Sequence, residues 1–213
     1  MSGVDLLGWA AAAVGIILGL PQLVHLIRTR HTEGVSLISW QTLLVLNLGW
    51  GAHGILIGQA NMIVTNVFAL CITIPVLVLM ARSRGLSLVG VLWPGVLASA
   101  VVVLADVFFG TAAFGVVALI PGTVVNVAQS VELIRSRSLA GVSPLFLTLA
   151  CLNQVLWFSW AALVPDAGTM IAAGVAIVVT GFNLLWWALR RAGLRAFWPY
   201  PEAVVEVGLA VEG

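Results

Sequence analysis

Fifteen residues, Gln22 to Ser36, recur 107 positions later as Gln129 to Ser143. The first copy reads QLVHLIRTRHTEGVS and the second QSVELIRSRSLAGVS, identical at nine positions. At the same offset Trp50 falls on Trp157. A repeat of this kind means that one structural unit is built twice, and it constrains the fold before any local propensity does. In a membrane protein it also directs attention to the place where the copies meet, since repeat-built folds bind their ligands there.

The setting is a membrane. Hydrophobic residues make up 62% of the chain and charged ones 8%, against roughly 25% charged in a soluble domain. Nine arginines and eight carboxylates nearly cancel and there is no lysine, so nucleic acid, which needs a basic surface, is excluded as a partner. Cys71 and Cys151 lie in apolar runs and read as packing residues. The N-terminus carries Asp5 and no basic stretch, so the first apolar run is expected to be a permanent span and not a cleaved leader.

A hydrocarbon core about 30 Å thick takes roughly 20 apolar residues per helix. Seven stretches qualify: 4–28, 35–57, 60–82, 86–105, 111–135, 142–164 and 168–190. With seven spans, Arg28, Arg30, Arg82, Arg84, Arg135, Arg137, Arg190, Arg191 and Arg195 all fall on one side, while Asp5, Asp106 and Asp166 fall on the other. The positive-inside rule then predicts an outside N-terminus and a cytoplasmic C-terminus.

This asymmetry accounts for the fourth span. A three-helix unit crosses an odd number of times, so a second copy would be inverted without one further crossing. The expected architecture is therefore all-α, with two parallel three-helix bundles, 4–82 and 111–190, joined by a linker helix, 86–105. Residues 193–213 are expected to form a loosely ordered cytoplasmic tail.

Few residues can carry chemistry. Pro21 cannot donate to the carbonyl of Ile17, so the first span should kink there, as a static bend or as a hinge. Gln22 can partner backbone groups freed by the kink, and Gln129 repeats it in the second copy, where Ala128 replaces the proline. On the second span Asn47, Trp50 and His53 share one helical face, and Gln154, Trp157 and Trp160 repeat that pattern on the sixth. A tryptophan in a span also suits the interfacial belt, which is the reading for Trp9, Trp93 and Trp160. Trp50 and Trp157, each with an amide one turn away, read instead as lining a cavity.

Asn66 should lie at the depth of Trp50, roughly 10 Å in at 1.5 Å per residue, where its amide can meet solute hydroxyls or a neighbouring helix. Asn126 and Asn183 are read as helix-to-helix bonds. His25 and Glu132 are placed at the interface and Asp106 at the outer end of the fourth span, which leaves His53 as the one ionisable residue inside the membrane. No HExxH, CxxC, nucleotide loop or Ser-His-Asp arrangement occurs. No enzymatic step, metal or cofactor is expected.

Pro21-Gln22, the arginine-rich turn and Gly34-Val35-Ser36 resemble the PQ-loop motif, and the 3+1+3 plan with Trp50 and Asn66 is similar to the SWEET sugar transporters. The resemblance covers about residues 5–190. It implies a central pocket that binds a mono- or disaccharide between Trp50, Trp157, Asn66, Asn47 and Gln154. It also implies gating by Pro21, Gln22, Gln129 and His53, with His53 where a tyrosine often stands near the outer gate. Sixteen residues after Trp157 stands Ala173, so the pocket Asn of the second copy is missing.

The expected function is facilitative, alternating-access transport of a small polar solute in the plasma membrane. The alternatives are a proton-coupled amino-acid exporter, which needs a titratable group in the pocket, and a non-transporting receptor or assembly protein of similar fold. The sequence leaves the solute and the oligomeric state open.

Overall fold

A computed structural model describes residues 2–29, 36–139 and 142–200, the side chains of 19–29, 124 and 125 being outside that description. The described residues form seven helices: α1 (Gly3–Thr29), α2 (Leu37–Leu56), α3 (Ala60–Ser83), α4 (Leu88–Phe109), α5 (Thr111–Arg135), α6 (Pro144–Leu163) and α7 (Ala167–Arg191). Helices are the form in which an isolated span satisfies its own backbone in lipid. Two parallel three-helix bundles, α1–α3 and α5–α7, are joined by α4 in an all-α membrane fold.

Within each bundle the third helix lies between the first and second. α3 touches both α1 and α2, and α7 touches both α5 and α6. The bundles meet through equivalent pairs, α1 on α6 and α2 on α5, while α4 rests against α2, α3 and α5. The repeat is visible locally as well. Ser36 and Ser143, 107 positions apart, cap α2 and α6 by accepting from the backbone N–H of Ser39 and Phe146, each at 3.2 Å.

α3 to α7 are each long and apolar enough to cross a membrane on their own. α2 carries Gln41, Asn47 and His53, and its neighbours satisfy all three. Gln41 Nε2 donates to the Val91 carbonyl at 2.8 Å and Asn47 Nδ2 to Thr73 Oγ1 at 3.0 Å. His53 meets two carboxylates. A helix surrounded by α3, α4 and α5 can hold groups that lipid would not solvate. α4 faces lipid over much of its surface, with Val89, Phe108 and Phe109 well exposed.

Two boundaries differ from expectation in ways that matter. The fourth span, expected to end before Asp106, continues to Phe109 and stops at Gly110, whose φ of 83° suits glycine. Asp106 is therefore inside a helix and not at its cap. The tail, expected to be loose, is docked up to Tyr200: the Phe197 N–H donates to the Ile134 carbonyl at 2.9 Å and Arg135 lies over the Tyr200 ring at 4.4 Å. Arg190 also donates to the Leu133 and Ser136 carbonyls at 2.7 Å, closing the C-terminal end of α5.

α5 and α7 cross at a glycine pair. A Cβ on Gly115 would lie 2.5 Å from the Gly168 carbonyl oxygen and 2.7 Å from its Cα, so only glycine admits this approach. The crossing brings the turn before α7 against Phe114 and, beyond it, His53.

Candidate functional site

A cavity of about 340 Å³ lies between the bundles, within the roughly 300–1,000 Å³ typical of small-molecule sites. α2 contributes Leu43, Leu46 and Trp50, so the cavity runs along at least two turns of that helix, about 10 Å at 1.5 Å per residue. Trp50 and Trp157, equivalent in the two copies, both line it, as do Asn66, Gln154 and Asn126. Thr65, Thr123, Asn153 and Thr169 also line it, and the rest of the wall is apolar or small, including Ala118, Ala173 and Gly122.

Asn66 is buried, and its Nδ2 donates to the Met62 carbonyl one turn back at 2.8 Å. That bond fixes the amide against its own helix. Trp50 is held edge-on against Phe114, centroids 4.7 Å apart and planes at 90°, and Trp157 stands likewise against Trp160 at 5.5 Å. Both indoles at the cavity are therefore set in place by an aromatic neighbour.

Asn47 departs from expectation. It does not line the cavity, because its amide is bonded to Thr73 across the α2–α3 contact. Trp160 is not an interfacial residue: it is 1% exposed and packs with Met62 and Ala161. Gln129 is half-buried on α5 and is not among the cavity-lining residues. Pro21 and Gln22 fall within α1, and their side chains lie outside the described residues. Asn183 accepts from Ser130 Oγ at 2.6 Å, the helix-to-helix role expected of it, whereas Asn126 lines the cavity and donates to the Gly122 carbonyl at 3.0 Å.

One turn beyond Trp50, toward the end without arginines, lies a cluster that sequence reasoning did not assemble. His53 is fully buried. Its Nδ1 lies 2.6 Å from Asp106 Oδ2 on α4, and its Nε2 lies 3.1 Å from Asp166 Oδ2 in the turn before α7. The ring stacks on Phe114 at 4.2 Å and 9°. Asp166 also caps α7, its Oδ1 accepting from the Gly168 N–H and its Oδ2 from the Thr169 N–H.

The proton count follows from the donors. A neutral imidazole has a single N–H, and ionised carboxylates only accept. Two hydrogen bonds from one ring to two carboxylates therefore require an additional proton, as an imidazolium between two carboxylates or as one protonated acid. Asp166, outside the helical span, titrates below the ordinary carboxylate value. Burial pushes it up, and the hydrogen bonds from His53 and Thr169 outweigh that push.

The cluster breaks the repeat. At the position of His53 the second copy has Trp160, and at the position of Asp166 the first copy has Gln59, which caps α3 with no side-chain bond. A sequence signal existed: His53, Asp106 and Asp166 all fall near the same membrane surface. What the chain alone could not supply was that α2, α4 and the start of α7 adjoin.

Comparison with known proteins agrees with this architecture. A PQ loop repeat family model matches residues 3–55, the copy that keeps Pro21. The sugar transporter SemiSWEET of Escherichia coli (strain UMEA 3162-1) is 32% identical over 84 residues, which is 39% of this chain and 94% of the relative. The solved structure of a eukaryotic SWEET transporter superposes with a TM-score of 0.61 at 18% identity, covering 90% of this chain and all of that one. At that identity the likeness is one of fold.

Proposed function

This chain belongs to the PQ-loop family of SWEET-type transporters, and from that membership we propose that it is a facilitative carrier moving a mono- or disaccharide by alternating access. The observation that carries the reading is the cavity between the two copies, with Trp50 and Trp157 as stacking faces and Asn66 and Gln154 as amides for hydroxyls. An indole packs on the apolar face of a pyranose, and an amide both donates to and accepts from its hydroxyls. The His53 cluster is the outer gate in this scheme, closed here, and the bundle ends that carry arginine face the cytoplasm.

The deciding experiment is uptake into proteoliposomes of a panel of labelled mono- and disaccharides. The unaltered protein should transport at least one, and Asn66→Ala should weaken apparent affinity for it roughly tenfold through one or two lost hydrogen bonds. Wild-type uptake of none of the panel would refute the sugar assignment. Unchanged affinity in a well-folded Asn66→Ala protein would make Asn66 a structural residue only.

One observation favours a second reading, a proton-coupled exporter of amino acids: the proton shared by His53, Asp106 and Asp166 one turn from the cavity. A facilitator transports at the same initial rate with or without an imposed pH gradient. A strict requirement for that gradient, lost when an ionophore collapses it, would favour the coupled carrier.

Orientation has its own test. Asp106 and Asp166 are buried, so labelling from the opposite side belongs at the exposed Phe109 and Leu163. Arg84→Cys and Arg137→Cys should react from the cytoplasmic side, and Phe109→Cys and Leu163→Cys from outside. Reaction of 84 and 137 from opposite sides would contradict parallel copies.

A further inference from the structure

The C-terminal end of α7 is closed by its own chain. The Leu194 N–H donates to the Leu189 carbonyl at 3.0 Å and the Gly193 N–H to the Arg190 carbonyl at 3.2 Å, with Gly193 at a φ of 110°. The turn sends the tail across the end of α5. There the Tyr200 N–H donates to the Arg135 carbonyl at 3.4 Å, and Arg135 Nε donates to the Trp198 carbonyl at 3.1 Å. Trp198 has a φ of 52°, a conformation that a bulky residue keeps only where its surroundings fix it.

Between this tail, the end of α7 and the segment after α5 lies a groove of about 750 Å³, lined by Arg137, Arg190, Arg191 and Arg195. No carboxylate among the described residues lines it. Glu132, one turn before the end of α5, accepts instead from the Tyr200 hydroxyl at 3.5 Å. The carbonyl ends of two helices would repel an anion. Here those carbonyls have donors already: Arg190 and the Phe197 N–H at α5, and the turn at Gly193 at α7. What the groove offers is positive charge.

Its surroundings are apolar. Leu194 lines the groove, and Phe197 and Trp198 beside it are 64% and 79% exposed. At the end of a membrane-spanning bundle such residues suit the interface, where tryptophan is enriched. We propose that this groove binds the phosphate of an anionic phospholipid headgroup, with Arg191 and Arg195 as ligands and Arg137 and Arg190 adding charge. A guanidinium grips phosphate through two parallel N–H donors, and basic pockets at the ends of membrane helices are suited to such headgroups. The docked tail builds the site, because it carries Arg195 to the groove. A lipid bound there links the tail to α5 and α7, whatever solute the central cavity takes.

The test is native mass spectrometry of the full chain in mixed micelles holding equal amounts of phosphatidylglycerol and phosphatidylcholine. The unaltered protein should retain phosphatidylglycerol in preference. Arg191→Gln and Arg195→Gln, both at exposed positions, should each lower that preference roughly fivefold. Arg84→Gln removes the same charge at the same end but outside the groove, and should leave the preference unchanged. Equal losses with Arg84→Gln and Arg195→Gln would overturn the site in favour of diffuse charge, as would a wild type that prefers neither lipid. Inorganic phosphate at the concentration of the lipid should not displace phosphatidylglycerol. Full displacement would overturn the lipid assignment in favour of a soluble anion.

Discussion

His53→Ala is expected to cost the assembled protein about 3–5 kcal/mol, the usual penalty for removing one member of a buried ion pair. The imidazole bridges Asp106 and Asp166, which are 7% and 4% exposed. Without it two carboxylates face a cavity in low dielectric with neither counter-charge nor donor from that ring. Thermal melting in detergent should show a fall of many degrees, and uptake per folded molecule should drop as the gate loses its closed form. Asp166→Asn should cost less, because the amide oxygen can still cap α7 through the Gly168 N–H.

The pH dependence has a definite sign. Asp166 sits below its ordinary value, so its contribution is fully present above the unfolded carboxylate pKa and is lost as pH falls through the lowered folded one. Melting of His53→Ala within a degree or two of wild type at neutral pH would show that the three groups are not paired.

Gly115→Leu is the second large effect. The α5–α7 crossing rests backbone against backbone at Gly115 and Gly168, where no flexible side-chain end can give way. The helices must separate, at a cost of about 1–3 kcal/mol or more. Because that same approach carries Asp166 to His53, the two effects should overlap. Gly115→Leu combined with His53→Ala should destabilise by clearly less than the sum of the single changes, as expected for residues acting on one contact. Strict additivity in melting measurements would mean that the glycine crossing does not position the gate.

Much of the fold was legible because lipid acts on each span through its own residues. Apolar length marks a crossing, arginine marks a side, and a 107-residue offset relates the copies without reference to any other part of the chain. For the same reason Trp50 and Asn66 could be placed at a shared depth, with Trp157 and Gln154 on the equivalent face of the second copy, and all four line the cavity. Asn47 shows where this reasoning stops. It lies on nearly the right face, yet its amide is bonded to Thr73 on α3.

Depth along each helix is thus written in the sequence, and so are the number of spans and the parallel relation of the copies. Which helices adjoin is not. The third helix of each bundle inserts between the first two, and α4 lies against α2 and α5. Only that arrangement brings together His53, Asp106 and Asp166, 53 and 113 residues apart for the two bonds. It likewise places Asn153 on the same cavity as Asn66. The physical reason is that one-dimensional composition reports the environment each residue requires, whereas a hydrogen bond or ion pair depends on a lateral neighbour. In a bundle that neighbour is selected by side-chain packing and by close approaches such as Gly115 on Gly168.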